Sequence, residues 1–432
     1  MAPYVDGSTL AGGRRRGKVP RHARGAGAPD SAPPGDPPST QPGRSRRRPR
    51  RSLAEKILLG VIVVVLLALL GAGTLYGYLR YRWGQVAKVA VPSLSAPSAG
   101  APFNVLLVGS DSRQGETNSQ QASQFGSPSE VVGARSDVIK ILHIDPAAGT
   151  ARILDIPRDT IVALSGAGTA YGRYNRVNVP YGVSADALVQ TIQNTFGIPI
   201  SHYIAINFFG FVGAVDSVGG VYMNFPYPAK DAYTGLNITQ TGCQLVNGGY
   251  ALAVARSRHY EYLKNGYWQY DPTSDYGRIQ RQDAFLKALI QRAESRYNPL
   301  TLNAFLGSIV HDVTIDNTFS LGDLVSLSQR YHAFSPSGLQ SLTLPTYSVG
   351  YWGSFGDVLF VKEPDAQAVI TQFLGGPPQT PTTPPLAPSG YPLPLSALSP
   401  PQPSGTTATT SAAGTTTSTT APPPAAYNPT PC

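Results

Sequence analysis

Hydrophobic positions are spread very unevenly along this 432-residue chain. From Ile57 to Leu79 the sequence reads ILLGVIVVVLLALLGAGTLYGYL, 23 residues without a charge. At about 1.5 Å rise per residue such a helix is about 34 Å long, enough for a hydrocarbon core of about 30 Å. Arg51 and its neighbours flank one end, and Tyr76, Tyr78, Tyr81 and Trp83 flank the other. A cleaved signal peptide uses a similar run, and Gly71, Ala72 and Gly73 resemble a cleavage region. The length of the run and its 56-residue leader favour an uncleaved anchor over 57–79.

A second kind of patterning, dense and aliphatic, runs from Phe103 to about Leu374. Val105–Val108 reads as a buried strand entering a loop, GSDSR. Val138–Ile144 and Arg152–Ile156 are two more strands, joined by the turn Asp145-Pro146-Ala147-Ala148-Gly149, and this spacing predicts an antiparallel hairpin. Ser184 caps a predicted helix with Leu188, Ile192 and Phe196 on one face. Phe208–Val218 predicts another helix, closed by Gly219 and Gly220. The clearest helix runs from Arg278 to about Glu294, with Leu286, Leu289, Ile290 and Ala293 as its apolar stripe. This mixture points to one α/β unit over 103–374. Outside it, 1–52 is Arg/Gly/Pro-rich and reads as disordered, 84–101 reads as a linker, and 376–432 reads as a disordered Pro/Thr-rich tail with no charged residue.

Charge changes the picture once it is divided by position. The formal net charge is +9, which alone suggests nucleic acid. Residues 1–56 hold thirteen basic and four acidic side chains, so they carry the whole excess, and the remaining 21 basic and 21 acidic residues cancel. The positive tail then marks the cytoplasmic side of the anchor and places the rest of the chain outside. Two cysteines, Cys243 and Cys432, rule out a disulfide-dense scaffold and a Cys-ligated zinc site. An exported location permits a bridge between them; two unpaired thiols are the other reading.

Local charge converges at predicted element ends. Arg135 and Asp137 precede one hairpin strand and Arg158 and Asp159 follow the other, so an antiparallel pair brings them to one edge. A first strand parallel to Arg152–Ile156 adds Asp111 and Arg113 to that edge. Two carboxylates among guanidiniums suit a hard divalent cation bridging phosphate oxygens. Arg278, Arg281 and Gln282 share the first turn of the clear helix at i, i+3, i+4 spacing. Cations there oppose the macrodipole unless an anion sits at the helix start. With Arg256 and Arg258 just upstream, the pattern points to a polyanion site.

The segments NVLLVGSDSR (104–113), RSDVIKILHID (135–145), ILDIPRDT (153–160), HYIAINFFGFVGAVDSVGGV (202–221), ALAVARSRH (251–259) and DYGRIQRQDAFLKAL (275–289) together resemble the LytR-CpsA-Psr family of envelope phosphotransferases. The resemblance covers about 103–374. It implies a three-layer α/β/α sandwich with a mixed central sheet and a tunnel for a polyprenyl chain. It also implies transfer of a glycopolymer from a polyprenyl-pyrophosphate carrier to peptidoglycan, with Mg²⁺ (or Mn²⁺), at the outer face of a Gram-positive or actinobacterial membrane. On this chain it assigns Asp111 and Asp137 to the metal, and Arg135, Arg158, Arg256, Arg258, Arg278, Arg281 and Gln282 to the pyrophosphate. Among these, Arg158, Arg256 and Arg258 would also act in catalysis. Asp159 and Asp275 are candidate proton acceptors, against a turn-holding role for Asp159 and an N-cap role for Asp275. The 111–135 loop is longer than the family pattern implies.

Other readings stand beside this one. The same clamp with water as acceptor makes a polyprenyl-pyrophosphate hydrolase; a non-catalytic scaffold or a membrane-tethered transcriptional regulator would use other features, the regulator only residues 1–56. No nucleic-acid partner is expected for the balanced domain. The aromatic stretch Tyr260, Tyr262, Tyr267, Trp268 and Tyr270 could stack on sugars, rest at lipid headgroups or pack on its own domain. Phe208, Phe209 and Phe211 read as core before tunnel lining, and His143 and His202 as structural.

Overall fold

The computed structural model describes residues 53–98, 100–110, 136–296, 299–323, 339–381 and 425–432. The 1–52 tail lies outside them. The chain divides into two units, Met1–Leu66 and Leu67–Cys432. The first contributes the start of helix α1 (Leu53–Gly84), which between Lys56 and Gly84 is long and apolar enough to cross a membrane by length and composition.

The second unit opens with β1 (Ala87–Val89), β2 (Phe103–Ser110), β3 (Ser136–Asp145) and β4 (Thr150–Asp155), then the short pair β5 (Ile161–Ala163) and β6 (Tyr174–Arg176). Helix α2 (Ala185–Phe196), strand β7 (His202–Asn207) and helix α3 (Phe208–Ser217) follow. Next come β8 (Val221–Phe225), β9 (Ala229–Asp231), β10 (Leu236–Ile238), β11 (Gly242–Val246) and α4 (Gly248–Arg256). The hairpin β12 (Glu261–Lys264) and β13 (Tyr267–Tyr270) leads into the long helix α5 (Asp275–Ser295) and α6 (Pro299–Ile309). The remainder is β14 (Val313–Asp316), β15 (Gln340–Thr343), β16 (Thr346–Tyr351), β17 (Asp357–Val361), α7 (Asp365–Leu374) and β18 (Thr430–Pro431).

Seven strands form a mixed central sheet in the order β1-β14-β7-β2-β3-β4-β15. The expected hairpin is β3–β4, antiparallel, with its turn held by the Asp145 carboxylate accepting from the Ala147 and Ala148 amides at 3.0 Å each. Because β2 is antiparallel to β3, it runs in the same direction as β4. Ser184 caps α2, its hydroxyl accepting from the Ala187 amide at 3.0 Å, and Gly197 closes it with φ 65°.

Strand alternation gives the sheet two different faces. On one, Leu106, Ile139, Ile141 and Leu154 close-pack against Leu188, Ile192 and Phe196 of α2 and Val369, Ile370 and Phe373 of α7. The alternate positions Leu107, Lys140, Ile204 and Ile206 point instead toward α3, α4, α5 and α6. The first three of those helices pack much of their apolar surface on the small strands: Val215, Val254, Phe285 and Ala288 join Val221, Met223 and Phe225 in a separate core. Held there, they leave a cavity of about 540 Å³ over the sheet. This is the α/β/α sandwich with a mixed sheet.

Two expected boundaries are corrected. Residues 84–101 are not a free linker: Ala87–Val89 pairs in parallel with β14 as an edge strand, and Val86 and Val91 are buried. The tail 376–432 is not disordered throughout. The Gln379 amide donates to the Gly197 carbonyl at 2.9 Å, and Thr430–Pro431 pairs with β8. The chain end is fixed by the Cys243–Cys432 disulfide, Cα to Cα 5.9 Å, and by Tyr427 stacked on Tyr262 with ring centroids 4.4 Å apart. A covalent bridge and a stacked, partly buried aromatic pair hold a segment whose composition alone cannot form a core.

Candidate functional site

The antiparallel β3–β4 register places Lys140 opposite Asp155, so the turn after β4 sits beside the residues that begin β3. Arg158, leaving β4, donates from Nη1 to Asp137 Oδ1. Its neighbour Asp159 turns to three guanidiniums: Arg158 Nε at 3.5 Å, Arg176 Nε at 3.1 Å and Arg258 Nη2 at 3.1 Å. Arg258 follows the end of α4 and also grips Asp275 Oδ1, from Nε at 3.0 Å and Nη2 at 2.7 Å. Arg278, one turn into α5, meets the same Asp275 oxygen at 2.7 Å and donates to the Asp137 carbonyl at 3.3 Å. Arg256 lies over the Phe208 ring, 4.5 Å from its centroid. Gln282 ties α5 to α4 through the Ala255 carbonyl at 2.9 Å. Four guanidiniums thus meet three carboxylates at one edge of the sheet, with Arg256 beside them on Phe208.

The electrostatics follow from partial burial. Burial alone would raise the Asp275 carboxyl, but Arg278, Arg258 and Arg158 outweigh it and hold the group below the usual carboxylate range. Burial pulls the Arg258 guanidinium down, and Asp275 and Asp159 more than restore it. For Arg278 burial wins, and its value falls to about 10 although Asp275 opposes the shift. Arg278 Nε and Asp275 Oδ2 are both buried without a hydrogen-bond partner. A cluster with a surplus of guanidiniums and an unused buried donor suits a multiply charged anion.

This cluster forms the polar end of the cavity, with Asp137, Arg158, Arg256, Arg258, Arg278 and Gln282 in its lining. The remaining wall is almost wholly apolar: Leu107, Ile204, Ile206, Phe208, Phe211, Leu252, Phe285, Leu289, Phe305, Val313, Ile315, Phe319 and, just past the apolar helix, Trp83 and Val86. Lys140 is the one lysine in the lining, and burial and neutralisation go together there: Asp283 meets it at 2.7 Å and Asp155 is bonded to it as well. An apolar cavity ending in an arginine cluster matches a molecule with a charged head and a hydrocarbon tail.

Most of the sequence-derived residues meet here, with clear exceptions. Asp111 and Arg135 lie outside the described residues, as does the long 111–135 loop. Arg281 is corrected: its side chain is fully buried away from the cavity lining, paired to Asp271 at 2.7 Å and stacked 4.4 Å from the Tyr260 ring centroid. It also donates to Asn428 Oδ1 at 2.9 Å and to the Ser257 carbonyl at 2.8 Å. Asp275 is not the N-cap; Ser274 holds that position and Asp275 is the first helical residue. Held ionised by three guanidiniums, it is a weak base, and it fixes the Arg258 and Arg278 side chains in place. Phe208 and Phe211 line the cavity. Of the aromatic stretch, Tyr260 and Tyr262 are core, whereas Tyr267, Trp268 and Tyr270 are exposed. His143 bonds Asn104 at 2.8 Å and His202 meets Asp316 at 3.3 Å, both away from the cluster. Sequence reasoning missed Arg176, which no periodicity singles out, and the Lys140–Asp155–Asp283 group, whose signal was a lysine inside an apolar strand.

A family model described as the LytR_cpsA_psr family matches residues 82–373. A Corynebacterium glutamicum protein named "Probable cell wall biosynthesis protein LcpB" is 31% identical over 275 residues, 63% of this chain and 61% of that protein. The Bacillus subtilis protein named polyisoprenyl-teichoic acid–peptidoglycan teichoic acid transferase TagV is 29% identical over 328 residues, 72% of this chain and 76% of its own length. Among solved structures, the LytR-Csp2A-Psr enzyme from Actinomyces oris shares the fold with a TM-score of 0.53 at 24% identity, over 69% of this chain and 97% of that one.

Proposed function

The chain belongs to the LytR_cpsA_psr family, and from that premise we propose that it transfers a glycopolymer from a polyprenyl-pyrophosphate carrier to peptidoglycan. One observation carries the reading: a cluster of four arginines closes a cavity of about 540 Å³ whose other walls are almost wholly apolar. The pyrophosphate occupies the arginine end and the polyprenyl chain lies along Phe208, Phe211, Ile206 and Phe305 toward Trp83. TagV, named for a transfer of this kind, supports the substrate class.

In the reaction an acceptor hydroxyl oxygen forms a bond to the glycan-bearing phosphorus. The bridging P–O bond breaks, the hydroxyl proton leaves to solvent, and polyprenyl phosphate departs. Charge grows on the equatorial and leaving oxygens, where Arg158, Arg258 and Arg278 already point, preorganised by Asp159 and Asp275. Asp137, bonded to Arg158, supplies one hard carboxylate at this end, and Mg²⁺ is commonly held by one or two carboxylates together with phosphate oxygens. Mg²⁺ on Asp137, with Asp111 as second ligand, would neutralise phosphate charge. Helix α1 would anchor the enzyme, with residues 1–56 in the cytoplasm and the catalytic unit outside.

The test uses the full chain in detergent with a polyprenyl-pyrophosphate-linked glycan and glycan-strand acceptor, reading polyprenyl phosphate release. Arg158→Ala should lower the rate by about 100-fold or more. A wild-type rate in that variant would refute the site.

A further inference from the structure

The small sheet in the order β10-β9-β12-β13 has one face in the core and one in solvent. Ala229, Ile238 and Tyr262 occupy the inner face. Alternation therefore turns Lys230, Glu261, Leu263, Trp268 and Tyr270 outward, with Lys230 and Tyr270 on either side of Glu261 in register. A solvent face of this kind is normally polar. Here Trp268 is 44% and Tyr270 50% exposed, and Tyr233, in the β9–β10 turn, is 79% exposed.

These rings form a strip rather than scattered exposures. Tyr233 lies 4.3 Å from His259 and His259 6.3 Å from Tyr270, centroid to centroid. Tyr270 donates its hydroxyl to the Arg258 carbonyl at 3.3 Å, so the strip begins at the arginine cluster itself. Its charges are mutually satisfied: Lys230 pairs with Glu261 at 3.1 Å and covers the Trp268 ring at 4.1 Å. A near-neutral face does not select a polyanion or an anionic lipid surface. Leu263 is its single aliphatic side chain, too little for insertion into a bilayer. Flat aromatic faces interleaved with Tyr, His and Glu hydrogen-bonding groups suit the C–H faces and hydroxyl rims of pyranose rings.

We propose that Trp268, Tyr270, His259 and Tyr233 form the binding site for the acceptor glycan strand, delivering a sugar hydroxyl to the arginine cluster beside Arg258. The acceptor role rests on the transferase reading; glycan binding by the strip does not. The experiment therefore titrates the full chain in detergent with soluble peptidoglycan glycan strands in the absence of donor, following intrinsic tryptophan fluorescence and sedimentation. Polyprenyl-pyrophosphate binding, the acceptor KM and co-sedimentation with phosphatidylglycerol vesicles are measured in parallel. Trp268→Ala and Tyr270→Ala should each weaken glycan binding and raise the acceptor KM by about tenfold, with Trp268→Phe restoring most of it and the donor Kd unchanged. Glycan binding at wild-type strength in both alanine variants overturns the proposal. So does loss of vesicle binding with glycan binding intact, which would make the strip a membrane contact. A wild-type chain that binds glycan strands but not the donor lipid would sink the transferase reading and leave the glycan site standing.

Discussion

Replacing Arg281 with Ala should unfold the protein at a lower temperature rather than empty its active site. The guanidinium and its partner Asp271 are both fully buried, and three further groups depend on it: Asn428, the Ser257 carbonyl and the Tyr260 ring. Removing one member of a buried ion pair strands the other charge and costs about 3–5 kcal/mol. At about 2–4 °C per kcal/mol for a large domain, the melting temperature should fall by roughly 6–20 °C. Arg158→Ala is the contrast. Its guanidinium is partly exposed, with Asp137 and Asp159 as ionic partners in a cluster rich in other arginines. There the melting temperature should stay within about 2 °C while transfer is lost. Calorimetry paired with donor-binding measurements on both variants separates the two roles. If Arg281→Ala melts with the wild type and loses only donor affinity, Arg281 is a ligand for pyrophosphate and the reasoning is wrong.

Three further outcomes follow from the same geometry. Cys432→Ser, or reduction of the wild type, removes a link spanning 189 residues, a chain-entropy loss of about 5 kcal/mol; hydrogen exchange should then show the Asn428 amide opening before the central sheet. Ile206→Trp projects bulk into the cavity, so donors with long polyprenyl chains should lose affinity while short-chain donors retain it, and equal loss for both would place the tail elsewhere. Arg278 titrates at about 10, and the anion needs its charged form, so donor affinity is fully present at neutral pH and falls as pH rises through about 10; bound donor should move that midpoint upward, as a pH series of calorimetric titrations would show.

What the sequence made legible was local. The β3–β4 hairpin needs only two apolar runs and an Asp-Pro turn, and its geometry alone brings Asp137 to Arg158. The Ser184 cap and the apolar stripe of α5 are equally short-range. Arg281 failed for a geometric reason: residues at i, i+3 and i+4 span a sector of about 100°, wide enough for Arg278 and Gln282 to face the cavity while Arg281 turns into the core. Its buried partner Asp271 lies before the helix, beyond what helical spacing reports. Gly277 carried a hint, since a Cβ there would collide with Asp271 and Thr273. Arg176 joins the cluster through a short strand pair with no signature. The docking of Tyr427, Asn428 and Cys432 depends on partners about 150 to 190 residues away. A Pro/Thr-rich composition hides such contacts, and the cysteine count was the one visible trace.

The Cys243–Cys432 bond also turns the C-terminal part of the polypeptide into a closed ring. Arg256, Arg258, Asp275, Arg278 and the α5 helix all lie on the arc between the two sulfurs, whereas Asp137, Arg158 and Asp159 lie on the open arm that leads back to α1. A single peptide cut anywhere between residues 244 and 431 therefore leaves one covalent molecule, its two pieces separable only after reduction. A nick on that arc would therefore not release the terminal peptide that supports Arg281. Damage of that kind would be invisible on a non-reducing gel and appear as two bands once thiol is added.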